Sequence, residues 1–276
     1  LLGKNGQVGW ELQRSLAPLG EILALDSKSP DYCGDLSDLQ GLIATVQRFA
    51  TDVIVNAAAY TSVDKAEAEP QLARRINAEA TVVLAQEAQR LSALLVHYST
   101  DYVFAGDGEA PWQETDPVAP LNTYGASKLE GEQAVQASGC LHLIFRTSWV
   151  YAERGNNFAK TMLRLARERE CLNVIDDQFG APTGAELLAD VTAHAIQAVR
   201  QQSALGGLYH LAAAGETTWF LYARFVLEQA EAAGINLKVA SAALRAVATE
   251  AYPTPARRPS NSRLNTQKLQ KAFALH

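Results

Sequence analysis

The sequence predicts an α/β fold: a doubly wound parallel sheet with a smaller α/β lobe interleaved into it. Three observations carry this. Short, continuously apolar runs alternate with helical patterns over the first half of the chain, and a glycine-rich turn joins the first run to the first helix. The rhythm then changes after about residue 150. Unbroken apolar runs are what parallel strands look like when both faces are covered. Strand–helix–strand repeats imply right-handed crossovers.

Strands are expected at residues 1–2, 22–25, 52–56, 94–99 and 143–147, with helices at 8–19, 39–49, 71–91 and 127–137 between them. In the third helix Ile76, Ala80, Val83 and Leu84 form one apolar stripe, and Pro70 stands where a first-turn proline belongs. Beyond them come an amphipathic helix over 158–169, a turn-rich loop over 176–184, a helix over 186–199, a strand over 208–211 and a helix over 219–232. With no repeat or linker, the second lobe reads as interleaved with the first. Residues 1–149 and about 184–213 are expected to build the sheet domain, and 150–183 with 214–276 the second lobe. The absence of a starting methionine, and the end at His276 just after a helix begins, predict a trimmed version of a longer chain.

Composition removes several classes. At 276 residues, 48% hydrophobic and 20% charged, the chain can bury a core without staples. Cys33, Cys140 and Cys171 are odd in number and widely spaced, which suits a reducing, cytoplasmic location rather than a disulfide framework. No apolar run suggests a membrane span, so no membrane partner is expected. A net charge of −6 argues against a nucleic-acid partner but allows one anionic ligand held by a local cluster.

Gly3, Gly6 and Gly9 form a G-x-x-G-x-x-G at the junction of the first strand and first helix. Such glycines permit a tight turn, close approach of a pyrophosphate and close helix–strand packing, while the helix N-terminus favours phosphate. The same pattern also makes an ordinary strand-to-helix turn. Asp26 ends the second strand, where an acidic residue takes the adenosine ribose hydroxyls of a dinucleotide, and this favours a Rossmann-type NAD site. Lys4 in the loop suits a 2′-phosphate, so both NADH and NADPH are expected as cofactors.

Tyr124 and Lys128 make a Y-x-x-x-K whose spacing puts both side chains on one helical face. A neighbouring ammonium favours a phenolate and makes a tyrosine a usable general acid. The plain alternative is a surface pair. Thr100, however, ends the preceding strand at the carboxyl edge of the sheet, where open α/β sheets bind ligands.

Loop, threonine and Y-x-x-x-K in this order resemble the extended short-chain dehydrogenase/reductases. Within them the stretches DVIVNAAAYTSVDKAE, HYSTDYVFAG, PLNTYGASKLEGE, DQFGAPTGAELLAD and RPSNSRLNT resemble the dTDP-4-dehydrorhamnose reductase family. The resemblance implies reduction of the C4 ketone of dTDP-4-dehydro-β-L-rhamnose to dTDP-L-rhamnose, so a dTDP-sugar is the expected small-molecule partner. It gives Tyr124 the proton donor's place, Lys128 that of its activator on the nicotinamide ribose, and Thr100 a hydrogen bond to the same oxygen. Gly6, Gln7, Val8, Asp26, Asp35, Leu36, Ala59, Tyr60 and Thr61 match cofactor contacts, and Asp101 and Trp149 match positions beside the sugar. Trp149 reads equally as a core aromatic. The related dehydratases carry Asp-Glu after the threonine, whereas Thr100-Asp101-Tyr102 lacks the glutamate, which favours reduction. The alternatives are a related epimerase or reductase with another sugar, and a non-catalytic NADP-binding regulatory subunit similar to that of methionine adenosyltransferase.

For the diphosphate, Arg257, Arg258 and Arg263 are the basic patch of the second lobe, and guanidinium forks suit phosphate oxygens. A solvated loop is the plain alternative. Asn157, with Asn156 and Lys160, reads as a second phosphate contact or as a helix cap. The histidines show no metal-ligand spacing, and His97, His142 and His210 read as structural. The resemblance also implies Mg²⁺ at a homodimer interface through Glu11 and Glu186, the third ligand falling beyond His276. The residues alone favour solvent-facing glutamates.

Overall fold

The computed structural model describes residues 1–275. Four parallel strands lie side by side in chain order: β1 (Val53–Asn56), β2 (Leu94–Thr100), β3 (His142–Thr147) and β4 (Gly207–His210). Leu2 bridges Asn56 on one side and Leu25 on the other, both parallel. The two expected first strands are thus single bridges, because Gly3 turns the chain (φ 88°) directly after Leu2. The chain steps outward from Leu2 to Leu25 and then crosses back to β1. That reversal is the switch point at which doubly wound sheets bind ligands.

Alternate strand residues serve opposite faces. Val55, Val96, Phe145 and Tyr209 pack under α1 (Gln7–Leu16) and the later helix Ala185–Gln201, which supplies Leu188, Ala195 and Ile196. Ile54, Leu95, Ile144 and Leu208 pack under α2 (Leu39–Phe49) and α3 (Ala80–Leu91), which supply Leu42, Val46, Leu84 and Ala88. The expected helix over 71–91 is not continuous. Pro70–Arg74 passes into a π-helical turn, Arg75–Glu79, before α3 begins. Such turns cluster at functional sites, and the buried Asn77 sits in this one. α4 (Thr123–Ala137) starts before the expected residue 127 because Asn122 caps it, accepting from the Gly125 amide at 2.8 Å.

A third core joins α5 (Phe158–Glu168), through Met162 and Ala166, to Ala223 and Leu227 of helix Trp219–Ala232. Strands Asn173–Ile175 and Arg245–Val247 pair beside it. The helix Gln267–Phe273, which the expected division groups with this lobe, packs Leu269 and Phe273 into the sheet's own core. Its apolar stripe finds the flank of Tyr209, ring centroids 5.1 Å from Phe273.

Candidate active site

The switch point opens into a cleft of about 610 Å³. Gly3, Gly6, Gln7 and Val8 line one end, Asp26, Asp35 and Leu36 one wall, Ala59 and Thr61 another, and Tyr124 and Lys128 the far end. Gly9 lies beneath, where a Cβ would overlap the Gly3 carbonyl, so its role is the close packing of α1 on the turn. Tyr60 stands aside: its amide donates to Asn77 Oδ1 at 2.8 Å and its hydroxyl to Glu69 at 2.5 Å. Asn77 also donates to the Tyr60 carbonyl and to Ser127 Oγ at 3.0 Å, so the π turn clamps the Ala59–Thr61 segment to α4.

The cleft fits a dinucleotide. No side chain caps α1, which leaves its first-turn amides for an anion. The Lys28 amide, with Ser29, Lys4 and Asn5 adding to it, holds the Asp26 carboxyl below its usual range against some desolvation. An ionised acceptor therefore stands where ribose hydroxyls are expected, and Lys4 reaches Ser29 Oγ beside it at 3.3 Å.

At the far end Thr100 closes β2, accepting from the Tyr102 amide at 3.2 Å and donating to Asp101 Oδ1 at 3.0 Å. Gly125 lets α4 touch the Tyr102 carbonyl, a contact that a Cβ would block. This brings Tyr124 within 5.7 Å of the Tyr102 ring, edge on. Burial pushes the Tyr124 phenol up to about 12, more than the Thr100 hydrogen bond lowers it. Burial also pushes Lys128 down to about 8, partly offset by Glu132. The expected depression of the phenol by Lys128 is not found: burial and Asp101 raise it, Thr100 alone lowers it, and Tyr124 holds its proton at neutral pH. Asp101 rises to about 7, because burial outweighs hydrogen bonds from Ser262 and Thr100. Behind them Arg146 forks onto Glu132 at 2.7–3.2 Å, both buried.

The sugar side is less free than its sequence implies. Arg258 forks onto Asp64 at 3.1 and 2.7 Å, and Asp64 also accepts the Ala256 amide. The Arg257 carbonyl accepts from Asn122 at 2.8 Å while the residue is exposed. Arg263 reaches Glu216 at 3.1 Å. Asn157 caps α5 and also donates to Gln7 Oε1 at 3.1 Å, tying that helix to the glycine loop. Trp149 is half-buried with a left-handed φ of 48°, stacked on Trp219 with ring centroids 3.5 Å apart. A non-glycine residue held there stores about 1–3 kcal/mol of strain.

Glu11 and Glu186 both lie near Arg14, which pairs with Glu11 at 3.7 Å and Asp190 at 2.9 Å. Two carboxylates around a resident cation do not suit Mg²⁺, and the described residues contain no cluster of three potential ligands.

Sequence reasoning missed Gly34, Thr147 and Gly155 along the cleft, and Asn77 and Trp219 around it. These come from segments far apart in the chain, and spacing carries no signal for them.

Residues 1–276 match the family model described as the RmlD substrate binding domain. The chain is 62% identical to a dTDP-4-dehydrorhamnose reductase of Shigella flexneri, over all of this chain and 91% of that relative. It superposes on a dTDP-4-dehydrorhamnose reductase of Clostridium acetobutylicum with TM-score 0.86 at 34% identity, covering 98% of this chain and 90% of that one. A Bacillus anthracis dTDP-4-dehydrorhamnose reductase in complex with NADP gives 0.83 at 36% identity, covering 98% and 89%.

Proposed function

The chain belongs to the dTDP-4-dehydrorhamnose reductase family, and we propose that it reduces the C4 ketone of dTDP-4-dehydro-β-L-rhamnose to dTDP-L-rhamnose with NADPH or NADH. The observation that carries the mechanism is the far end of the cleft, where Thr100, Tyr124 and Lys128 meet beside a groove that fits a dinucleotide. When bound, the cofactor supplies hydride to the ketone carbon.

The chain's own residues handle the proton. Tyr124 Oη donates to the C4 oxygen as charge develops on it, which general-acid catalysis requires of a group still protonated at working pH. Lys128 then faces a phenolate and stabilises it as an ammonium. Thr100 has one hydroxyl proton, now on Asp101; turning it toward the C4 oxygen gives that oxygen a second donor. Asp101 and Trp149 border the sugar, and Arg257 and Arg258 with Asn157 stand toward the diphosphate. Gly3, Gly6, Gln7, Val8, Asp26, Asp35 and Leu36 hold the cofactor, with Ala59, Tyr60 and Thr61 across from them.

The sheet carries the cofactor half, and the core around α5 carries the sugar half. A cytoplasmic setting is supported by three free cysteines, and no described helix is long and apolar enough to cross a membrane. A homodimer is supported by Trp10 and Leu187, both exposed beside Glu11 and Glu186.

The test is a direct assay with enzymatically made dTDP-4-dehydro-6-deoxy sugars. The L-rhamno ketone is expected to consume NADPH at the nicotinamide absorbance band. Consumption only with another sugar favours a related reductase, and none with any sugar favours a non-catalytic subunit.

A further inference from the structure

Behind the reacting groups runs a line of buried side chains that ketone reduction does not itself require. His97 on β2 is the register partner of Asn56 on β1 and reaches Lys128 on α4. Asn56 and His97 are each 1% exposed and Lys128 2%. Lys128 Nζ lies 3.2 Å from His97 Nε2, and Asn56 Nδ2 lies 3.3 Å from His97 Nδ1. The Ala58 amide donates to Asn56 Oδ1 at 3.3 Å and so sets which end of the amide faces the ring.

Counting protons along this line leaves two consistent states. With Oδ1 held by Ala58, Asn56 presents its NH₂ to Nδ1, which must accept. A neutral imidazole then carries its proton on Nε2, aimed at Nζ. An ammonium has three donors and no acceptor, so that arrangement is satisfied by a neutral lysine amine. In the second state Lys128 is an ammonium donating to a bare Nε2, and the ring proton moves to Nδ1. Asn56 must then turn to offer Oδ1, and the Ala58 amide loses its acceptor. His97 is neutral in both, because burial and then the nearby Lys128 push its pKa well below the ordinary value.

We infer that His97 is a positioning residue, and that with Asn56 it sets the charge of Lys128 through the tautomer of its ring. This rests on the reading of Tyr124 and Lys128 as the pair that handles the proton. The other charged and titratable groups around Lys128 are Tyr124 and Glu132 of its own helix and Arg146 of β3, forked onto Glu132. Asp101, from the turn after β2, lies beyond Tyr124. Glu132 favours the ammonium, and the Asn56–His97 line opposes it. Formation of the Tyr124 phenolate tips the balance to the ammonium, and the ring and amide follow.

The experiment is NMR on this chain with ¹⁵N-labelled histidine and ¹³Cε-labelled lysine, alone and over a pH range, beside steady-state rates. In the parent protein His97 is expected to change from the Nδ1–H to the Nε2–H form as Lys128 loses its proton. Asn56→Asp, whose carboxylate accepts from Nδ1–H, is expected to fix the first form and raise the Lys128 titration by about one unit or more, a tenfold shift in its proton equilibrium. His97→Gln, whose carbonyl accepts from an ammonium, is expected to move it the same way. The pH profile of kcat should shift with it while the KM for the sugar changes less than about two-fold. A single His97 tautomer at every pH, or a Lys128 titration unmoved by both variants, overturns the inference. A coupled tautomer and lysine titration with an unmoved rate profile supports it and overturns the catalytic reading of Lys128 instead.

Discussion

The two halves of the cleft are built in different ways. On the cofactor side, Gly3, Gly6, Val8 and Asp26 stand within one strand–helix–strand passage, and the groove is made mostly of backbone. On the sugar side, every expected contact reaches its place through a partner far along the chain. Arg258 leans on Asp64, Asn122 on the Arg257 carbonyl, and Asn157 on Gln7. The first half is a property of a local motif. The second is a property of the tertiary structure, and the guanidiniums of Arg258 and Arg263 are already engaged with Asp64 and Glu216 before any substrate arrives.

This contrast can be broken or sharpened by mutation. The largest effect belongs where the halves meet. Tyr124→Phe is expected to lower kcat by about 10³-fold, within the range of general-acid catalysis, with NADPH affinity unchanged by fluorescence titration. On the cofactor side, Gly9→Ala drives a methyl into the Gly3 carbonyl. It is expected to weaken NADPH binding by roughly 100-fold, about 2.7 kcal/mol, read by calorimetry. On the sugar side, Asp64→Asn and Arg258→Ala should each raise the KM for the sugar nucleotide about tenfold, with NADPH binding kept within two-fold. Equal losses of both ligands in the Asp64 variant would erase the contrast.

A separate effect is expected on stability rather than on ligand binding. Asp101 has its pKa raised from 3.8 to about 7 in the fold. The stability it contributes is therefore full below about pH 4 and is lost as pH rises through about 7. Asp101→Asn does not titrate, so its stability relative to the parent should grow by on the order of 3 kcal/mol between pH 4 and pH 8 in denaturant melts. A constant offset would place Asp101 in a more solvated setting.

The same contrast explains what was legible in the sequence. The parallel order and its switch point, the glycine loop and Tyr124–Lys128 follow from short-range periods and spacings, and the structure has them. The break in the helix over 71–91 was not legible, because its cause is Asn77 reaching Tyr60 and Ser127, residues in two other elements. Histidine spacing marked His97 as structural, and only its placement against Lys128 gives it a further part. The arginine patch was visible as charge. Its pairing with Asp64 spans 194 residues and leaves no local trace.

The π turn at Arg75–Glu79 also acts as a phase adjuster. It adds one residue to a helix, and each residue rotates the following face by about 100°. Ala80, Leu84 and Ala88 meet β1 and β2 only in the rotated setting. Deleting one residue from the turn would therefore do more than release Asn77: it would swing the apolar stripe of α3 away from the sheet and carry polar side chains toward it. The segment that orients the cofactor loop thus shares one rotational register with the core beneath it, and neither can be altered without resetting the other.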